Sequence, residues 1–422
     1  MFVHAVISDG DIESDLMPEN QWKVSAAITG LASTALAPRQ FANRSAVSAA
    51  SEVVAGALKD AGLQRSQIDG LCVHIGSPRG TDYDVLANML GINVRFCGQP
   101  WSHGRFTASV ITHAAMALSC GMANYVLCVA AYRNSNEGGR HGTKARSTFF
   151  EDLRQGGGPH AETPHAGFTA PVAGTAMAYQ RYLHKYNISA DKLATLALTQ
   201  RRNAMRNPRA AMRKPLSAEE YFSSRFIVEP MHLFDCSVEV DGAVAIILTT
   251  PDRAKDCAKA PVHLLGFQGL NAGPNEFCMG QPGLGFNQAD VFDYVSPGAD
   301  QMVYRMAGLK PSDVDVLEVY DAFAPMSLWA IERMGHCKGG EAADWIQGGR
   351  IEIGGELPLN TSGGMLSEGH LNGWPQIAEI IRQLRGEAGD RQVADARIGQ
   401  WGTSIGDSLI LGRDGTQTAR AA

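Results

Sequence analysis

The run Asn360-Thr361-Ser362-Gly363-Gly364-Met365-Leu366-Ser367-Glu368-Gly369-His370 gathers three glycines and a histidine behind a leading asparagine. Glycines at this density let a backbone turn tightly and bring its N–H groups close to a ligand. A histidine closing the run is placed to donate to, or take a proton from, whatever the backbone holds. A second chemical signal is basic. Arg201, Arg202, Arg206, Arg209, Arg213 and Lys214 form the densest cluster of cations in a chain whose formal net charge is −6. Such a patch suits an anionic ligand such as a phosphorylated cofactor, although a solvated helix face produces the same spacing. The tract His160-Ala161-Glu162-Thr163-Pro164-His165 has poor spacing for a metal pair and is expected to lie over a site entrance as a lid.

Bulk properties exclude several functions. A net negative charge offers no field to meet a phosphate backbone, and aromatic residues at 7% leave little for a base-stacking surface. Nucleic acid is therefore not an expected partner. The eight cysteines form no C-x-x-C pair, so neither a zinc ribbon nor a redox dithiol is signalled, and reduced thiols in the cytoplasm are expected. The start Met1-Phe2-Val3-His4 lacks a basic segment followed by an apolar block, and no apolar run approaches the roughly 20 residues that span a bilayer.

The elements that must position these residues read as α/β. Ala61-Gly62-Leu63-Gln64-Arg65-Ser66-Gln67-Ile68-Asp69-Gly70-Leu71-Cys72-Val73 returns without a gap as Ala307-Gly308-Leu309-Lys310-Pro311-Ser312-Asp313-Val314-Asp315-Val316-Leu317-Glu318-Val319. Each copy is a helix end, a glycine stop, an Asp-punctuated turn and a buried strand. Two similar α/β halves follow, the first with helix-like 46–62, strand-like 71–76, helix-like 107–121 and strand-like 124–131. The second has strand-like 262–269, helix-like 297–308, strand-like 315–320, helix-like 325–335, helix-like 374–386 and strand-like 406–412. The alternation predicts mostly parallel sheets with helices on their faces. Residues 1–132 with 236–260 make the first half and 261–422 the second. Glycine pairs and prolines within 133–235 predict a loop domain inserted between them.

A duplicated α/β chain with a large loop insertion, ending in N-x-x-G-G-x-x-x-x-G-H, resembles the thiolase superfamily, and more narrowly its sterol-carrier-protein-x type. Cys236-Ser237-Val238-Glu239-Val240-Asp241-Gly242-Ala243-Val244-Ala245 resembles the strand entry closing the first half. Tyr320-Asp321-Ala322-Phe323-Ala324 falls where thiolases carry His- or Asn-Glu-Ala-Phe-Ala, and Gln383-Leu384-Arg385-Gly386-Glu387-Ala388-Gly389 looks like a segment of the sterol-carrier branch. The resemblance implies a thiolase fold, two duplicated α/β halves in a layered αβαβα arrangement with a loop insertion.

The departures from that pattern decide the expected chemistry. Thiolases attack with a cysteine at the N-terminus of a buried helix, and counting back from Cys120-Gly121 brings that position to Gly104, within Ser102-His103-Gly104-Arg105-Phe106. If Gly402 is the glycine of the second cysteine motif, Gln400 stands where that cysteine would be. Without either thiol, covalent acyl transfer is not expected. What remains can bind an acyl-CoA and stabilise its enolate, through His370, Asn360 and the backbone N–H groups of Gly363, Gly364, Gly369 and Gly402. His103 would line the pocket beside the vacated position. Cys97 reads as a buried strand cysteine.

These substitutions are similar to those of the CoA-dependent aldolases of the branch, which cleave steroid side chains by retro-aldol reaction with a tyrosine at the position of Tyr320. Those aldolases carry a second tyrosine where this chain has His370. The resemblance thus implies a lyase acting on a β-hydroxyacyl-CoA, with Tyr320 handling the proton on the β-oxygen and Asp321 or His370 as alternatives for the base. CoA thioester is substrate, no covalently bound cofactor or metal is expected, and Arg201, Arg202 and Arg206 are candidates for the CoA phosphates. A homodimer is implied, with a small zinc-ribbon and OB-fold partner protein. Two other readings stay open: an acyltransferase using an unrecognised nucleophile such as Cys97 or Cys120, and a non-catalytic acyl-CoA-binding subunit.

Overall fold

A computed structural model describes residues 26–74, 80–100, 107–133, 171–270 and 301–413. The first half begins with strand β1 (Ala27–Ser33) and helix α1 (Ala46–Ala61), then β2 (Gly70–Val73), α2 (Tyr83–Leu90), β3 (Phe96–Gly98), α3 (Thr107–Ser119) and β4 (Tyr125–Arg133). Helices α4 (Pro171–Tyr186), α5 (Ala194–Met205) and α6 (Ala218–Ser223) follow, with a hairpin of β5 (Phe226–Val228) and β6 (Met231–His232). Strand β7 (Asp241–Thr249) and the short α7 (Pro251–Ala254) lead to β8 (Val262–Gln268). The second half continues with α8 (Met302–Ala307), β9 (Val316–Val319), α9 (Ala324–Arg333), α10 (Ala342–Trp345), α11 (Trp374–Arg385), β10 (Ile398–Gly402) and β11 (Ser408–Arg413).

Among the described residues, nine strands form one sheet in the order β3-β2-β4-β7-β1-β8-β11-β10-β9. From the centre outward, β1, β7, β4, β2 and β8, β11, β10, β9 repeat the same pairings: antiparallel, antiparallel, parallel. The short antiparallel contact of Ala27 and Ile28 with His263 and Val262 joins the halves. The sequence repeat coincides with this duplication. Gly62 (φ 71°) and Gly308 (φ 65°) end α1 and α8 in the left-handed conformation that favours glycine, and each copy then makes one 3₁₀ turn before β2 or β9.

The sheet is mixed rather than mostly parallel. The reason lies in the connections: β7 returns after the 171–235 excursion, and β11 follows β10 through a tight turn, and both routes allow antiparallel pairing. The strand interiors are apolar on both faces. Val126, Cys128, Ala130, Val244, Ile246 and Leu248 join α3 and α11 in one cluster, while Leu127, Val129, Ala131, Ala243, Ala245 and Ile247 pack under α1 in another. Helices thus cover both faces of this sheet. The excursion is also more regular than a loop domain, since its described part carries α4, α5 and α6.

The halves are locked by α11, which packs on β9, β10 and β11 and also reaches β1 and β7. Arg385 at its end donates to Asp60 on α1 at 2.8 Å, and Asp60 also accepts the Leu31 N–H of β1 at 2.9 Å.

Candidate active site

Strand β9 delivers Tyr320 to the site. Its backbone N–H donates to the Gly402 carbonyl at 3.0 Å, extending the parallel β9–β10 pairing by one residue. The side chain is buried, with its ring edge-on to Trp401 and to His370. His370 is half-buried, and its backbone N–H donates to the Val238 carbonyl at 2.8 Å. Its Nε2 lies 3.5 Å from the Tyr320 hydroxyl and 3.1 Å from Asn372 Oδ1, while Nδ1 lies 3.0 Å from Ser237 Oγ. The structure thus sets Tyr320 and His370, both named from the sequence, side by side, and adds Ser237 and Asn372, which the sequence reading did not name as site residues. Asn372 had a legible signal, being an asparagine two residues past the histidine in a glycine-punctuated turn, and it adopts φ 54°.

The glycine-rich run does a different task from the one expected of it. Residues 360–369 are buried throughout, and 364–368 form a single π-helical turn, a rare feature that clusters at functional sites. Gly363 N–H donates to the Asn360 carbonyl and Gly369 N–H to the Gly364 carbonyl, so both are satisfied inside the loop. The glycines are needed for close approach. A Cβ on Gly364 would stand 2.4 Å from Asp321 Oδ2 and 2.5 Å from Gln200 Oε1, and one on Gly363 would stand 2.6 Å from Ala204 Cβ. On Gly369 (φ 139°) it would meet Val240 at 2.8 Å.

Asn360 and Asp321 hold this loop. Asn360 (φ 45°) accepts the Val319 N–H at 2.8 Å through Oδ1, and its Nδ2 donates to the Val319 carbonyl at 3.4 Å. Its amide is thereby taken up by the end of β9, against the expectation that it faces a substrate oxyanion. Asp321 Oδ1 accepts the Met365 N–H at 2.9 Å and Gln376 Nε2 at 3.0 Å. Burial pushes its carboxyl up to about 6, opposed by the Met365 N–H and other donors. A carboxylate so occupied is an anchor, which argues against Asp321 as the base.

The basic cluster does not converge. Arg201 is buried behind the loop, donating to Ser367 Oγ at 3.0 Å and to the Lys214 carbonyl at 3.2 Å. Arg202 pairs with Glu352 at 2.6 Å on the surface, and Arg206 is exposed at the end of α5. Gln400 is buried on β10, where its Oε1 accepts from the Tyr304 hydroxyl at 2.8 Å and stands 3.2 Å from His336 Nε2. Burial holds His336 down at about 4, so this ring is neutral. Cys97 is exposed on β3, not buried, and partial desolvation with neighbouring Cys72 pushes its thiol up, the reverse of an activated nucleophile. Cys120 is exposed at the end of α3. His103, Gly104 and the His160–His165 tract lie outside the described residues.

The first turn of α3 closes the site from the other side. Asp407 Oδ2 accepts the Ala108 N–H at 3.3 Å, and Thr107 Oγ1 donates to the Asn372 carbonyl. Burial raises the Asp407 carboxyl well above its ordinary range. In the turn between, the Thr403 and Ser404 hydroxyls are buried with no hydrogen-bond partner among the described residues. Among those residues no group of three or more His, Cys, Asp or Glu could hold a metal ion, and no helix is long and apolar enough to cross a membrane.

The sheet is built from two copies of one strand pattern, with Tyr320 at the end of β9 beside His370 in the loop before α11, and residues 287–407 match the thiolase C-terminal domain-like family. The chain belongs to the thiolase superfamily, within its sterol-carrier-protein-x-like branch. It is 32% identical to a steroid side-chain-cleaving aldolase of Thermomonospora curvata, over 92% of this chain and 98% of that one. It is 33% identical to a 17-hydroxy-3-oxo-4-pregnene-20-carboxyl-CoA lyase of Mycobacterium tuberculosis, over 86% and 92%. Among solved structures, one described as an Ltp2-ChsH2(DUF35) aldolase superposes with a TM-score of 0.80 at 30% identity, covering 93% of this chain and 98% of that one. An acetyl-CoA acetyltransferase from Syntrophomonas wolfei shares the fold, with a TM-score of 0.63 at 18% identity over 93% of this chain and 100% of that one.

Proposed function

We propose that this chain is a carbon–carbon lyase that cleaves a β-hydroxyacyl-CoA by retro-aldol reaction, giving a ketone or aldehyde and a shorter acyl-CoA. A CoA-linked steroid side chain is the substrate suggested by the names of the relatives. The observation that carries the reading is the contact of the Tyr320 hydroxyl with His370 at 3.5 Å. A phenol and an imidazole so placed can move the proton of a β-hydroxyl, and cleavage without a covalent intermediate needs that transfer plus donors for the enolate.

Tyr320 and His370 form the proton-handling pair. Asn360 and Asp321 act as positioning residues that fix the end of β9 and the glycine loop, and Gly363, Gly364 and Gly369 permit that packing. Gly402 sets the height of Tyr320. The hydroxyls of Thr403 and Ser404 are available as donors to the thioester oxygen. With Arg201 buried and Arg202 paired, Arg206 is the remaining member of the expected trio to meet a CoA phosphate.

The assembly we propose is a homodimer. Strand β3 ends the sheet, and around it Tyr83, Val85, Met89, Val94, Met116 and Met122 are exposed. At the opposite edge, β9 is covered by the Pro358–Asn360 segment, which bonds to Leu317 on both sides. A small zinc-ribbon and OB-fold partner completes the assembly, in line with the two-protein description of the related aldolase structure. We place the enzyme in the cytoplasm.

The test is a paired assay read by mass spectrometry, with the co-purified partner present. One reaction holds a branched β-hydroxyacyl-CoA, the other a β-ketoacyl-CoA plus free CoA. Carbonyl product and shortened acyl-CoA in the first alone is the expected result. Cleavage in the second alone would mean a thiolase with an unidentified nucleophile, and binding without turnover in either would leave an acyl-CoA-binding subunit.

A further inference from the structure

His370 has a neighbour that the retro-aldol reaction does not use. Ser237 Oγ lies 3.0 Å from its Nδ1, the ring nitrogen that Tyr320 does not approach. On the other nitrogen, Asn372 Oδ1 stands at 3.1 Å and can only accept, so the ring hydrogen belongs on Nε2 and points to Asn372. The lone pair of Nδ1 is then directed at the Ser237 hydroxyl. A nucleophile within hydrogen-bond reach of a base, with the base oriented by a third group, is the arrangement that activates a serine. Backbone pairing preorganises it. Ser237 N–H donates to the Ala322 carbonyl at 3.0 Å, Val238 N–H to the Met365 carbonyl at 3.1 Å, and His370 N–H to the Val238 carbonyl at 2.8 Å. Asn372 is held at φ 54°, with its carbonyl accepting from Thr107 Oγ1. Ser237 and His370 are both half-buried, so a ligand can reach them. Neighbouring Cys236 is no rival, since burial and Asp235 push its thiol up to about 12.

We propose that Ser237, His370 and Asn372 form a nucleophile–base–orienter triad that hydrolyses acyl-CoA thioesters, with no need of a β-hydroxyl, to CoA and the free carboxylic acid. The activity shares the acyl-CoA site of the proposed lyase and does not depend on retro-aldol cleavage. Ser237 Oγ attacks the thioester carbon while its proton passes to His370 Nδ1. The tetrahedral intermediate breaks its carbon–sulfur bond, and His370 gives that proton to the departing sulfur, which leaves as the CoA thiol. Water then attacks the acyl-serine, its proton passing through His370 back to Ser237 Oγ, and the acid is released. Water is the one co-reactant, and nothing is oxidised or reduced. The tetrahedral oxygen needs donors, and the Tyr320 hydroxyl stands beside the same ring. Asn372 is a positioning residue: its Oδ1 keeps a hydrogen on Nε2 and supports the ring as Nδ1 takes up the serine proton.

The test is release of free CoA from propionyl-CoA, which has no β-oxygen and so no retro-aldol route, by the full-length protein with its co-purified partner. Wild type should release CoA, read with a thiol reagent, and Ser237→Ala should fall to the uncatalysed background. Asn372→Leu should lower kcat by at least roughly tenfold with KM little changed, and Asn372→Asp, which keeps an acceptor at Nε2, should restore it. In the wild-type chain an alkyl fluorophosphonate should add to Ser237, seen as mass on the peptide that carries it, and His370→Gln should abolish the labelling. A serine that only orients the ring would not react, and the labelling needs no variant at position 237 to fold. No CoA release above background, release unchanged in Ser237→Ala, or an unlabelled Ser237 overturns the proposal. Hydrolysis of propionyl-CoA without cleavage of a β-hydroxyacyl-CoA would fail the retro-aldol reading alone, and the reverse would fail the hydrolase alone.

Discussion

Tyr320 and His370 meet because two backbone contacts fix them separately: Tyr320 N–H on Gly402, and His370 N–H on Val238. Their identities were legible in the sequence, since a histidine ending a glycine run and a tyrosine in an Asp-Ala-Phe-Ala context both stand out. The work of the glycines was not legible. Composition shows that a backbone can turn tightly, but not whether it does so around a ligand or around buried side chains. Here Gly364 (φ 57°) faces Asp321 and Gln200 with no room for a methyl group. Gly364→Ala should therefore destabilise the fold by about 3 kcal/mol or more, combining left-handed strain with displaced buried polar atoms. Chemical denaturation would check this, and a loss under about 1 kcal/mol would mean that the loop yields easily.

At the scale of elements, the loop and α11 share a buried set of charges. Glu379 holds Arg391 through two bonds of 2.9 Å, and Glu368 Oε1 accepts from Asn207 at 3.0 Å. Burial pushes the Glu368 carboxyl up to about 7 from 4.5, with neighbouring Glu379 adding to the shift. The folded chain thus keeps a proton that the unfolded chain releases, and stability falls as pH rises from about 4.5 to 7. The share of this group is on the order of 3 kcal/mol. His336 opposes it: its neutral form is favoured in the folded chain, so its contribution rises between about pH 4 and 6.5. Glu368→Gln should remove this group's share of that fall, becoming more stable relative to wild type as pH rises toward 8. Parallel stability curves for the two proteins would show no divergence if the Glu368 carboxyl titrates normally. The elements themselves were legible where repeat and periodicity agreed, as in 61–73 and 307–319. They were missed in β1 and β10, where glycines dilute the pattern. Gly30 and Gly399 are there because a Cβ would stand 2.5 Å from the Ala57 carbonyl oxygen and 2.3 Å from Ile380, so helix–strand packing sets those residues and a one-dimensional reading cannot.

For the whole molecule, the β3 edge of the sheet is unpaired among the described residues while the β9 edge is covered, and α2 and α3 beside β3 carry exposed apolar side chains. An uncovered strand edge of this kind invites a second copy. Sedimentation should find a dimer for the wild-type chain, and a largely monomeric species when Val85 and Met89, both exposed on α2, are changed to Glu. A dimer unaffected by that pair would place the interface elsewhere. The duplication was legible in one thirteen-residue match, while the mixed strand directions were not, because they depend on how far each connection travels.

Turnover of a β-hydroxyacyl-CoA by Tyr320→Phe, measured beside acyl-CoA binding by the same protein, tests the account most directly. The expected result is a fall in kcat of roughly 10² to 10⁴ with binding and folding retained, as for loss of an acid–base group. Wild-type turnover in that variant would remove Tyr320 from the reaction and contradict the account.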